Sequence, residues 1–187
     1  MRKLGLAVFA ASAAVMVAFG VRTTFADDMV DNPEFKTWEK CKVGTTVIVV
    51  MENEMPSMKM KSETTKKLIE ITKEKAVIED SMTMEMPGMP KQPPQVTKRE
   101  VPAKVKKAEE GKKEGEKPKS GDKEIETPAG KFKCHWTETT SEAGGNKTVS
   151  TSYWSDDVPG GMVKLESNTE GASKSKMTMV VTKVDKK

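Results

Sequence analysis

The chain has one histidine and two cysteines, and these shortages remove more chemistry than any motif supplies. A serine or cysteine nucleophile activated by imidazole would have to use His135. Its neighbour Cys134 cannot be that nucleophile in a strand, because adjacent side chains point to opposite faces. Phe132, Cys134 and Trp136 then share an apolar face, while Lys133, His135 and Thr137 share the other, which makes His135 a solvent-side residue. A zinc centre needs three or four His, Cys or carboxylate ligands, and one histidine with two distant cysteines does not supply them. Asp156 and Asp157 are neighbours in a Gly/Pro loop, with neither the fixed separation that paired acids need for hydrolysis nor the ligand count for calcium. No catalytic residue and no cofactor is implied. The expectation is that the protein is not an enzyme.

Aromatic residues are also scarce, at 5% of the chain. Three of the phenylalanines (Phe9, Phe19, Phe25) fall within the first 26 residues, and that stretch reads as a secretory signal peptide. Arg2 and Lys3 form a basic start, Leu4 to Val21 is an unbroken run of apolar and small residues, and Thr24-Phe25-Ala26 places small residues at the −3 and −1 positions of a cleavage site. An apolar run of about 18 residues is also just long enough to anchor a chain in a membrane. Arg22 and the small-residue site that follow it directly favour cleavage. No cysteine follows the run, so a lipid anchor is not indicated. The expectation is a secreted or periplasmic protein with no membrane span after cleavage, divided into residues 1–26 (signal peptide) and 27–187 (one domain).

Removing the leader changes the charge argument. Of 32 basic residues three leave with it (Arg2, Lys3, Arg22), and of 28 acidic residues none does, so the net charge falls from +4 to +1. A nucleic-acid partner calls for a basic face, and this balance offers no general support for one.

With so few aromatics, much of any core must come from Val, Ile, Leu and Met. The pattern of these residues is that of strands. Thr45–Met51 is β-branched and continuously apolar, as in a strand covered on both faces. From Met58 to Thr65, Met58 and Met60 alternate with Lys59 and Lys61, and the run continues to Lys73. From Ala76 to Met86, Ile78, Met82, Met84 and Met86 alternate with Glu79, Ser81, Thr83 and Glu85. Gln95–Val105 is extended and interrupted by Pro102. Lys123–Thr127 and Lys131–Thr139 flank a turn at Pro128-Ala129-Gly130. Gly144-Gly145-Asn146 turns into Lys147–Ser155, and Met162–Thr169 and Ser175–Val184 complete a meander. A short helical segment, Glu34–Lys40, precedes all of these, with Trp38 as its anchor. Residues 106–121 hold no aromatic and no large aliphatic residue, so they read as a charged flexible loop. The fold class expected is mainly β: a curved antiparallel sheet or open half-barrel with a short N-terminal helical segment. In an oxidising compartment Cys41 and Cys134 are candidates for a disulfide, which would add about 4 kcal/mol on the chain-entropy argument.

Methionine is the excess that stands against these shortages. Twelve of the 14 lie beyond the leader, and ten of these cluster as Met51, Met55, Met58, Met60, then Met82, Met84, Met86, Met89, then Met177, Met179. Met58 and Met60, and Met82, Met84 and Met86, recur at every second residue, which places each of these sets on one sheet face, where flexible, polarizable thioethers suit a surface that adapts to its ligand. The candidate apolar binding face comprises Met58, Met60, Met82, Met84, Met86, Trp136 and Trp154, for a lipid or other apolar small molecule. The alternative is a Met-based Cu(I) site at Met84, Met86 and Met89, since thioethers are soft ligands. A third reading is a structural or interaction protein of the cell envelope without a small ligand.

The order of leader, Trp38 segment, Gly44 strand, Met-alternating strands and then the stretch Tyr153–Glu166 (YWSDDVPGGMVKLE) resembles exported bacterial β-sheet proteins of uncharacterised function. At the level of fold these are similar to the open half-barrel of periplasmic lipoprotein carriers. The resemblance spans most of the chain beyond residue 26 and rests on Trp154 to Lys164. It implies a curved antiparallel sheet with an apolar concave face and supplies no catalytic residues.

Overall fold

The computed structural model describes residues 29–88, 90, 92–107 and 118–187. The expected signal segment, the middle of the expected loop (108–117) and Met89 lie outside the described residues. In chain order the elements are β1 (Met29–Asp31), α1 (Pro33–Glu39), β2 (Thr46–Met55), β3 (Met58–Ile71), β4 (Lys75–Glu85), β5 (Gln95–Pro102), β6 (Lys104–Lys106), β7 (Lys119–Thr127), β8 (Gly130–Ala143), β9 (Asn146–Trp154), β10 (Met162–Glu170) and β11 (Ser175–Asp185). Among the described residues no helix is long and apolar enough to cross a membrane.

Nine strands form one curved antiparallel sheet in the order β5-β4-β3-β2-β11-β10-β9-β8-β7, not closed into a barrel, and β1 pairs with β6 in a small second sheet. The fold class read from the sequence is therefore the one observed. Its connections are mostly tight hairpins. Gly144 and Gly145, at φ 57° and 76°, make the two-residue turn between β8 and β9, because such turns need positive φ at both central positions. The two halves of the chain meet at the centre of the sheet, where β2 pairs with β11 from Thr46↔Asp185 to Glu54↔Lys176.

Helix α1 is short, and its start is written locally. Asn32 is the N-cap, its side chain accepting a hydrogen bond from the Glu34 amide at 3.0 Å, and Pro33 follows at the first helical position, where its missing N–H costs nothing. Phe35, Thr37 and Trp38 are its buried residues. They belong to a core drawn from one end of the sheet: Val47 and Val49 of β2, Leu68 of β3, Ala76 and Ile78 of β4, Val101 of β5, Val163 of β10 and Val181 of β11, together with Val158 from the loop between β9 and β10. The core thus sits under α1, and the far ends of the long strands run beyond it.

Two sequence expectations change. Lys106 and Lys119–Gly121, at the two ends of the expected loop, are strand. The 14-residue β8 offers backbone partners beyond β7's apolar pattern, and Lys119 is held to Glu138 at 3.1 Å. Cys41 and Cys134 are both free. The Cys41 thiol donates to the Thr37 carbonyl at the end of α1, at 3.4 Å, and the Cys134 thiol to the Phe132 carbonyl in β8, at 3.5 Å. Burial pushes both thiols above their ordinary range, so neither is an activated nucleophile at neutral pH.

Candidate functional site: a methionine-lined sheet face

Residues paired across antiparallel strands lie on the same face, so register decides which methionines meet. Met51 of β2 is opposite Met179 of β11 and Ser62 of β3. Asn53 is opposite Met177 and Met60. Met55 is opposite Met58. Met84 and Met82 of β4 are opposite Ser62 and Thr64 of β3. All of these share a face with Val47 and Val49, the β2 residues buried in the core. The alternation read in each strand is thereby joined into one surface of eight methionines: Met51, Met55, Met58, Met60, Met82, Met84, Met177 and Met179. Most are half-buried, and Met58 at the hairpin end is 39% exposed. Met86 follows directly after β4 and is also half-buried. In the middle of the surface the Asn53 Oδ1 atom is buried without a hydrogen-bond partner.

The same face changes character toward β9. Ser167 of β10 is opposite Met177, and Ser150 is opposite Ser167. Their hydroxyls are 2.9 Å apart, and those of Thr148 and Thr169 are 3.0 Å apart. Thioethers thus give way to a short ladder of hydroxyls on one continuous surface. Two hollows flank the methionines. One, of about 460 Å³, reaches Asn53, Met60 and Met86, and the other, of about 740 Å³, reaches Met55, Thr169 and Ser175.

A charged cluster separates this surface from the helix-covered core. Arg99 of β5 donates to Glu34 of α1 at 2.7 Å and to Asp80 of β4 at 2.9 Å. Lys66 of β3 lies opposite Asp80. Its ammonium is held below the usual lysine range by burial first and by the nearby Arg99 guanidinium second. A base whose pKa falls on folding carries fewer protons in the folded than in the unfolded chain. Stability then rises as pH climbs from the lowered folded pKa toward the ordinary lysine value, and the penalty is fully present below that window. Lys66→Met is accordingly expected to stabilise the protein by about 0.5–1 kcal/mol at pH 7. The advantage should shrink as pH approaches about 10, as read by urea denaturation across that range.

The remaining sequence candidates separate. Trp154 is opposite His135 and Met162. It follows Tyr153 and so falls on the face of Ser152, whose partner is Leu165 and then Met179. Trp136 is opposite Tyr153 and points to the other face, away from the methionines. Grouping it with them is corrected by this register. His135 is exposed, with Nδ1 3.1 Å from Asp122 Oδ1. Among the described residues no group of three or more His, Cys, Asp or Glu side chains could hold a metal ion. Met51, Met55, Met177 and Met179 complete the surface, and their even spacing along β2 and β11, four residues and two, was the signal for them.

No protein-family model matches the chain, and no curated protein matches it. Among solved structures, it is similar to one described as a "putative lipoprotein" from Parabacteroides distasonis, at 10% identity and a TM-score of 0.44 over 77% of this chain and 96% of that one. It is also similar to one from Bacteroides fragilis described as a "putative exported protein with YmcC-like fold", at 8% identity and a TM-score of 0.44 over 78% of this chain and 97% of that one.

Proposed function

We propose that the protein is an exported, non-enzymatic β-sheet protein that holds a lipid or other apolar molecule against its methionine face. The observation that carries this reading is the register of β2, β3, β4 and β11, which gathers eight methionines on one half-buried surface beyond the core. Unbranched thioethers repack at low cost around a flexible chain. The neighbouring hydroxyl ladder offers hydrogen bonds to a polar head. Export is supported by the basic, apolar and small-residue pattern of residues 2–26.

A Cu(I) reading has one observation in its favour: Met51 with Met179, and Met55 with Met58, are direct cross-strand neighbours, closer than methionines spaced along one strand. A single titration series separates the two. N-phenyl-1-naphthylamine is expected to bind the wild type and a Met51→Leu, Met82→Leu, Met179→Leu variant alike, each substitution costing less than about 1.5 kcal/mol of stability. Replacing Met82 and Met179 with glutamate should weaken the probe at least about tenfold. Solvent extracts of the purified protein should contain lipid by mass spectrometry. Probe binding indifferent to the glutamates would sink the reading. Stoichiometric Cu(I) uptake that the leucine variant loses would replace it with the metal one.

A further inference from the structure

The stretch Trp154–Gly161 builds a second site, whose lining includes no methionine. Trp154 is a large aromatic left 39% exposed, and it is not loose. A Cβ at Gly161 would come within 2.7 Å of its Cε3 atom and 3.0 Å of its Cζ3. Gly161 has φ 76°, so its backbone lies hard against one side of the indole in a conformation only glycine adopts freely. The loop itself is pinned. Ser155 N donates to the Gly161 carbonyl at 2.8 Å, Gly161 N to the Val158 carbonyl at 2.8 Å, and Gly160 N to the Thr37 hydroxyl of α1 at 2.8 Å. Val158 is fully buried beneath it.

Beside the indole lies a hollow of about 490 Å³, lined by Thr37, Lys133, His135, Trp154, Asp156 and Asp157 among others. This size is within the range of about 300–1,000 Å³ for small-molecule sites. Among the described residues no ion pair engages Asp156, Asp157 or Lys133. Carboxylate acceptors and an ammonium donor therefore stand around one rigid aromatic face, beside the His135 imidazole that contacts Asp122 at 3.1 Å.

We propose that this hollow binds a neutral sugar residue. The face of an indole is electron-rich, and the C–H hydrogens on one side of a pyranose ring are the complementary partner. The ring's hydroxyls each donate and accept, which matches acceptors on Asp156 and Asp157 beside the donor on Lys133. Other ligand chemistries fit less well. An anion meets two carboxylates. A quaternary ammonium wants a cage of several aromatic faces, whereas here one indole is accompanied by a lysine. A purely apolar molecule would strand the charged rim. The pinned loop lowers the ordering cost of binding.

The test is calorimetric titration of the full chain with maltotriose, cellotriose, mannotriose and N,N′,N″-triacetylchitotriose. At least one is expected to bind with a Kd of about 1 mM or tighter. Asp156→Asn with Asp157→Asn should weaken it at least about tenfold without altering the circular dichroism spectrum, because these side chains are exposed and unpaired. Trp154→Leu should abolish it, and glutamates at Met82 and Met179 should leave it unchanged, which keeps this site distinct from the methionine face. The proposal is overturned if none of the four binds at about 10 mM. It is equally overturned if binding survives both the Asn and the Leu variants, or if tetramethylammonium binds and the sugars do not.

Discussion

Trp38→Ala is expected to lower stability by about 3–5 kcal/mol, enough to unfold a marginal domain. Trp38 is fully buried at 0% exposure and is the largest such side chain among the described residues. A seven-residue helix has no independent stability in water, so α1 holds its place only by what it buries and what it binds. Three attachments fix it: Trp38 and Phe35 in the core, the Gly160 amide on Thr37, and Arg99 on Glu34. Removing the indole empties the space at the centre of the first. Loss of the helix would in turn uncover Val47, Leu68 and Ile78 beneath it. Trp38→Phe should cost much less, about 1–2 kcal/mol, since the indole Nε1 is buried without a hydrogen-bond partner and the phenyl ring has no donor to strand. Denaturant midpoints of the two variants should therefore separate widely. Equal midpoints would mean that the helix is dispensable to the sheet.

Gly171→Ala is expected to cost about 3 kcal/mol or more. Gly171 turns the chain from β10 into β11 at φ 126°. A Cβ there would stand 2.4 Å from the Gly145 carbonyl oxygen, 2.8 Å from Asn146 Oδ1 and 3.0 Å from Asn146 Cα. Two of these are backbone atoms of the neighbouring β8–β9 turn and cannot swing away. The tips of the two hairpins are also joined directly, Ser173 N donating to Asn146 Oδ1 at 2.8 Å. Alanine thus strains its own backbone and pushes the tips apart at once. Gly130 is the control: its φ is 129°, yet nothing lies within 4 Å of its Cβ position. Gly130→Ala should show the conformational cost alone, about 1–2 kcal/mol. Matching urea midpoints for the two variants would show that the hairpin contact contributes nothing.

Most individual strands were legible because alternation is a local signal. Ile78, Met82 and Met84 share a face for the same reason in the sequence and in the sheet. The Gly144-Gly145 turn was legible because positive φ at two successive positions needs such residues. What local pattern cannot report is parity between strands far apart in the chain. Trp136 and Trp154 each looked available to the methionine face, yet the pairing of Trp136 with Tyr153 assigns the two indoles to opposite sides. Register shifts at Leu68/Glu70, Val181/Lys183 and Met162/Lys164 alter the count again, and no turn residue marks them. The Arg99–Glu34 bond spans 65 positions and depends on α1 docking against β5, which hydrophobic spacing alone does not specify.

The order of strands carries a consequence for when this molecule can form. Its outermost strands, β5 and β7, come from the middle of the chain, while the two at its centre, β2 and β11, come from opposite ends. During synthesis β2, β3, β4 and β5 can zip together early, but β2 keeps one side bare until β11, 11 residues ending at Asp185, arrives. The contact that unites the halves is among the most distant in sequence, and closing such long loops is slow. Assembly of the sheet must therefore wait for β11. Until that strand is made, the two halves of the sheet remain separate hairpin stacks, each with an unpaired edge.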